Sequence, residues 1–246
     1  MGRTDQSYVD LDDPLRLEFD YVQRLAESID ELAPAGERIR IVHVGGALMT
    51  LPRYVASTRP HSAQIVLEPD TGLTEFVREH VPLPKRSGIK VRGVAGRDGI
   101  AALRDRYTDA IVIDAFAGSQ VPAELTTAEF FADVHRVLDD GVLMINITDK
   151  GLEYARRVAA AMAKSFTELT LSAESSTLKG RRFGNIVLLA SDHPLPVEAL
   201  ARRSAQSAYP YRVLTGERLT QLIGGAVPYT DADSSPSPAA PATHFR

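Results

Sequence analysis

Four places in the chain end an apolar run on residues that could do chemistry. Gly45-Gly46 closes Ile39–Val44, and small residues there would let a ligand approach the backbone and a following helix N-terminus. The same pair would also serve as a plain tight turn. Glu68 ends the run 64–68, 23 positions after Gly45. A carboxylate so placed can accept both ribose hydroxyls of an adenosyl or dinucleotide ligand, or simply stand solvated at a strand end. Val94-Ala95-Gly96-Arg97-Asp98-Gly99 follows a third run. Recognition of adenine's exocyclic amine here needs a side-chain acceptor, which Ala95 lacks; Asp98 could substitute or could cap the next helix. Asp114 closes Ala110–Ile113. It is a candidate base for deprotonating an amine, or a carboxylate satisfied by loop N–H groups.

Other chemistries are poorly supplied. The chain has no cysteine, which removes disulfides, thiolate metal sites and cysteine nucleophiles, and its six histidines show no metal-ligand spacing. His43 reads as a satisfied core residue, His135 as structural or exposed, and Lys179, Arg181 and Arg182 as a solvated cluster beside a turn, with anion binding the lesser alternative. A net charge of −4 argues against a grip on nucleic acid. Residues 1–33 hold nine acids and three bases, leaving the remainder net positive. That acidic stretch could attract a cation, or be a solvated helix face. No apolar run is long enough to cross a bilayer, and MGRTDQSYVD does not read as a signal peptide. A cytoplasmic protein acting on a small molecule, with no nucleic acid and no membrane partner, is the expectation.

The positioning elements follow from periodicity. Leu15, Phe19, Val22, Leu25, Ala26, Ile29 and Leu32 recur at helical spacing, predicting a helix over 15–33 stopped by Pro34-Ala35-Gly36. Strands are predicted over 39–44, 64–68, 89–94, 110–113 and 142–147. Helices fall between and after them over 48–58, 72–80, 97–106, 126–138 and 152–165, with Thr126 to Glu129 spaced as a capping box. Then 169–173 and 185–190 read as strands joined by a turn at 178–182 without a helix, hence a hairpin. A helix over 197–207 follows, and the Pro-, Ser- and Ala-rich 229–246 reads as a poorly ordered tail. Alternation of strand and helix implies an α/β fold, a doubly wound, mostly parallel seven-stranded sheet with a C-terminal antiparallel hairpin. The domain reading is an N-terminal segment and helix over 1–36, an α/β domain over 37–228, and the tail.

QSYVDLDDPLRLEFDYVQRL, HVGGALMTLPRYVA, VLEPD, GRDGIAAL, DAFAG, the LTTAEFF helix and the RRFGN hairpin occur in that order between about Gln6 and Ala190. In this set the sequence resembles the spermidine synthase family, particularly its shorter spermidine-synthase-like branch. The resemblance implies a class I methyltransferase-like Rossmann fold that binds S-adenosylmethionine or its decarboxylated form and transfers a group to an amine. It implies a cofactor site at Gly45, Gly46, Glu68, Asp70, Ala95, Gly96 and Asp114, with Gln6 and Tyr21 approaching the substrate and Asp114 catalytic. It also implies a polyamine as substrate, and leaves a homodimer open. Departures from the family pattern are Ala47 for the third loop glycine, Ala95 for an acid, Ala117 for the second of two paired acids, and Tyr21-Val22-Gln23 for Tyr-His-Glu. The family's N-terminal β-domain is expected to be missing or severely shortened. Aminopropyl or methyl transfer through a degenerate site is therefore the expectation, against a non-catalytic relative that binds an adenosyl ligand or a protein. A nicotinamide dehydrogenase lacks support, because G-x-G-x-x-G spacing is absent.

Overall fold

The computed structural model describes residues 7–241. In chain order the elements are α1 (Asp20–Asp30), β1 (Arg40–Val44), α2 (Thr50–Thr58), β2 (Ala63–Leu67), α3 (Thr71–His80), β3 (Ile89–Arg92), α4 (Gly96–Ala101) and β4 (Thr108–Ile113). A 3₁₀ turn over Ala123–Leu125 leads into α5 (Ala128–Val137), β5 (Leu138–Asp149), α6 (Glu153–Met162), β6 (Glu168–Ala173), the single turn α7 (Ser175–Leu178) and β7 (Gly184–Ser191). The chain continues through α8 (Val197–Gln206), β8 (Arg212–Thr215) and α9 (Gly216–Ile223).

All strands join one sheet in the order β3-β2-β1-β4-β5-β7-β6-β8. The first five are parallel; β7 lies antiparallel between β5 and β6, so the expected hairpin is present. The sheet has eight strands rather than seven, since β8 pairs antiparallel with β6. Its four residues, RVLT, form a half-buried edge too short to stand out by alternation.

Because β1, β2, β4 and β5 are parallel and covered on both faces, they read as near-continuous apolar runs, whereas the edge strand β3, IKVR, alternates half-buried and exposed residues. One face packs Val42, Val44, Ile111, Ile113, Leu143 and Ile145 under α4, α5, α6 and α9. The opposite face packs Ile41, Ala110, Val112 and Met144 under α1, α2 and α8. Helix α1 begins at Asp20, five residues later than periodicity suggested. Phe19 is extended and Leu15 stays 53% exposed, while Leu17 and Phe19 pack against the α1 cluster from outside the helix. The guanidinium of Arg59, fully buried, donates to the carbonyls of Ile29, Asp30, Ala33, Pro34 and Glu37, and so closes the open end of α1. At α5 the cap is Thr127, whose Oγ1 accepts from the Phe130 N–H, rather than Thr126. Glu129 accepts from the Asp231 N–H instead of reaching back.

That last contact belongs to a segment expected to be a loose tail. Residues 229–241 run as a strap across α4, α5, α6 and the loop after β4. Asp231 forms a bidentate pair with Arg97 at 2.7 Å on both sides, and Arg157 stacks over the Tyr229 ring and pairs with Asp233. Ser237, fully buried, exchanges hydrogen bonds with Val121. Its composition suggests disorder, but these side-chain partners come from four distant elements that no local signal reveals. Among the described residues no helix is long and apolar enough to cross a membrane, and no cluster of three or more metal-ligating side chains occurs.

Candidate active site

Strand order reverses at β1, whose neighbours β2 and β4 lead outward in opposite directions, so a crevice opens beyond the carboxyl ends of these strands. Gly45 makes that crevice. Its φ is +93°, and a Cβ there would lie 2.3 Å from the Asp114 carbonyl oxygen, so only glycine lets the ends of β1 and β4 approach. The loop continues through Ala47 and Met49, both left-handed, with φ of 42° and 62°. Gly96 has the same function on the next layer: a Cβ would fall 2.3 Å from Val44 Cγ1, so glycine seats α4 on β1 and brings Ala95 to the rim.

A single cavity of about 930 Å³ takes in Gly45, Gly46, Glu68, Asp70, Ala95, Gly96, Asp114 and Tyr21. Gln6 lies outside the described residues; its neighbour Ser7 lines the cavity. The carboxylate of Glu68 is oriented by backbone donors. Oε2 accepts from Gly46 N–H at 2.9 Å and from Ala47 N–H at 3.4 Å, and Oε1 accepts from Asp70 N–H at 3.0 Å. A carboxylate accepts roughly four hydrogen bonds, so capacity remains on Oε1. Asp70 also caps α3, its Oδ1 accepting from Leu73 N–H. Ala95 occupies the N-cap position of α4 without a side-chain bond, while Asp98 is exposed within the first turn.

At the other end Asp114 Oδ1 accepts from Asn146 Nδ2 at 3.0 Å. Burial pushes the Asp114 carboxyl up to about 6, only partly opposed by that hydrogen bond. Tyr21 is held well above the usual phenol range by burial and by the charges of Asp114 and Asp20, so it stays a neutral donor. His43 also lines the cavity, but burial pushes it down to about 4 and its Nε2 is bonded to Gln64 Oε1, leaving a neutral structural imidazole. Asn146, Thr148 and Asn185 complete the polar wall beside Phe19, Phe116 and Phe183. These were not singled out from the sequence, although a buried Asn inside the apolar run VLMINI was a usable signal. The ionisable carboxylates of the wall are Glu68, Asp70, Asp114 and Glu124, and among the described lining residues there is no Lys or Arg.

A mostly parallel sheet with an antiparallel end, and a cavity at its order reversal, define a methyltransferase-like α/β protein. Human methyltransferase-like protein 13, solved in complex with SAH, shares this fold with a TM-score of 0.60 at 19% identity, covering 87% of this chain and 96% of that one. A probable spermidine synthase from Corynebacterium glutamicum ATCC 13032 superposes with a TM-score of 0.82 at 30% identity, over 89% of this chain and 82% of that chain. The curated polyamine aminopropyltransferase of Vibrio vulnificus (strain CMCP6) is 26% identical over 197 residues, 78% of this chain. The present chain spans 62% of that relative's length. No family model matches. The chain belongs to the spermidine synthase-like family.

Proposed function

We propose that this protein is a group transferase that binds a sulfonium-bearing adenosyl donor and alkylates an amine, with decarboxylated S-adenosylmethionine as the preferred donor. The observation that carries the reading is the charge of the cavity wall: four carboxylates and, among the described residues, no basic side chain. Such a wall favours cations and, among its described residues, offers no cationic partner to an amino-acid carboxylate. The relatives' printed names, polyamine aminopropyltransferase and spermidine synthase, support the same reaction class.

The residues present fit the donor. Glu68, already aimed by three backbone N–H groups, accepts the ribose hydroxyls, and the Gly45–Ala47 loop leaves room beside them. The donor supplies an activated carbon next to sulfur, whose bond electrons leave with the thioether. Asp114, ionised at neutral pH, holds the incoming amine and receives its proton. Asn146 Nδ2 fixes the Asp114 carboxylate, and Tyr21 presents a phenolic O–H to the same end. Alignment and exclusion of water are the remaining contributions. A second reading, binding without transfer, draws on Ala117, which leaves Asp114 without the second acid of the family motif.

Calorimetry with S-adenosylmethionine, its decarboxylated form and methylthioadenosine tests the reading. The decarboxylated donor is expected to bind at least tenfold more tightly than S-adenosylmethionine. The reverse order removes the donor assignment. Absence of binding by all three near a millimolar removes the adenosyl function, and binding without product favours the second reading.

A further inference from the structure

The acceptor half of the cavity, beyond β4 and β5, differs in character from the donor half. Its wall is formed by Phe19, Phe116, Ala117, Phe183 and Ala240 around the polar group of Asp114, Tyr21 and Asn146. Asp114 is the carboxylate of this half among the described lining residues. Glu68 and Asp70 follow β2, and Glu124 lies against α4, its carbonyl facing Arg97. A small polar annex shares Phe183, Gly184 and Asn185 with this end and contains Asp20 and Glu174. Both acids are already engaged, Asp20 by Arg24 at 2.9 Å and Glu174 by Arg182 at 3.8 Å.

The loop cannot readily bring another acid inward, because it is pinned. Ala117 and Gln120 exchange backbone hydrogen bonds at 2.8 and 3.3 Å around Gly118. Gln120 Nε2 then donates to the Ser237 carbonyl at 2.6 Å, Val121 N–H donates to Ser237 Oγ at 2.9 Å, and Ser237 N–H donates to the Val121 carbonyl at 3.1 Å. Thr148 on β5 meets the same hydroxyl at 3.3 Å. The strap thus holds Ala117 in place and lays Ala240 along the cavity.

One anion can hold one ammonium. A second cation on the same molecule would meet Phe19, Phe116, Ala117, Phe183 and Ala240, with no further carboxylate among these residues, and lose hydration without compensation, whereas methylenes there are favoured. We propose, building on the transferase reading, that the acceptor is a primary amine with an uncharged, apolar body, anchored by Asp114 alone, rather than a diamine. In the transfer the bound ammonium gives one proton to the Asp114 carboxylate, the freed nitrogen lone pair forms the new C–N bond, and the C–S bond breaks with its electrons going to sulfur, leaving a neutral thioether and a secondary ammonium product.

The test titrates the full chain with hexylamine and with putrescine, each with and without saturating methylthioadenosine, in wild type and Ala117→Asp. Hexylamine is expected to bind wild type at least tenfold more tightly than putrescine. Ala117→Asp, an exposed substitution, is expected to raise putrescine affinity at least tenfold and to leave hexylamine within threefold. Equal or tighter binding of putrescine by wild type overturns the proposal, as does an unchanged ratio in Ala117→Asp or no binding of either amine. Methylthioadenosine that fails to bind, while hexylamine is still preferred, removes the donor reading and leaves the amine assignment standing.

Discussion

Replacing Ala95 by aspartate should act on stability and on ligand binding by separable routes. Ala95 sits at the N-cap of α4 with φ −62° and ψ 150°, the extended geometry a capping side chain needs, yet it offers no acceptor to the helix N–H groups. An aspartate there satisfies one such donor, a gain of about 1 kcal/mol. For a chain of 246 residues this corresponds to a rise in Tm of roughly 2–4 °C. The second carboxylate oxygen remains available at the cavity rim. A hydrogen bond from adenine's exocyclic amine to a charged acceptor contributes about 1.5–3 kcal/mol, or roughly ten- to a hundredfold in affinity. Methylthioadenosine is the appropriate probe, since it is uncharged and does not respond to one more negative charge in the cavity. Ala95→Ser is the control: serine caps about as well but its hydroxyl is shorter and neutral. The expected outcome is a raised Tm by far-UV circular dichroism in both variants, with affinity gained in Ala95→Asp only. Equal affinities in all three proteins would refute the placement of adenine at this rim. An unchanged Tm in both variants would refute the capping argument.

Two buried groups set opposing pH dependences. Asp114 is raised from 3.8 to about 6, so its contribution to stability is full below pH 3.8 and lost as pH rises through 6. His43 is lowered from 6.5 to about 4, so its contribution is present above pH 6.5 and lost as pH falls through 4. Each amounts to roughly 3 kcal/mol, so these two contributions oppose and nearly cancel between pH 4 and 6, and the difference between the urea-unfolding profiles of wild type and Asp114→Asn isolates the Asp114 part. Relative to wild type, Asp114→Asn should gain about 2–3 kcal/mol as pH rises across that interval and lose transfer activity; parallel profiles of the two proteins refute the pairing. Gly45→Ala combines a left-handed φ with a Cβ 2.3 Å from the Asp114 oxygen, and a loss of roughly 3–5 kcal/mol is expected by the same unfolding assay. A loss below about 1 kcal/mol would mean that the β1 and β4 ends separate easily.

Parts of the molecule governed by local patterns were legible in the sequence. The inner parallel strands are apolar because both faces are covered, and the ends of β1, β2 and β4 fall on Gly45, Glu68 and Asp114, where topology collects ligand-facing residues. The hairpin was visible because no crossover-length helix separates 169–173 from 185–190; the expected helix-free turn does contain the single turn α7, too short to show helical periodicity. What escaped depends on partners far along the chain. Strand β8 is a strand because β6 offers an edge, not because RVLT alternates. The strap reads as low-complexity sequence, yet Arg97, Arg157 and Val121 supply its order. Asn146 carried a signal of polarity inside an apolar run, but only the fold shows that it points its amide at Asp114.

Ser7 and Ala240 line one cavity, and the chain between them is the whole sheet with its helices. The strap that lays Ala240 along the wall is held by contacts across 116 and 134 residues, Val121 to Ser237 and Arg97 to Asp231, whereas β1 meets β2 and β4 over shorter intervals. Closing long loops costs additional entropy, so these contacts should form after the sheet and be the first to release. An opening that frees the strap and leaves the β-ladders intact would expose the cavity without global unfolding. Amide exchange around Val121 and Ser237 would then report a cooperative unit less stable than the sheet. Ligand entry would share that unit's free energy, and the exit of a bulky product could occur at the frequency with which it opens.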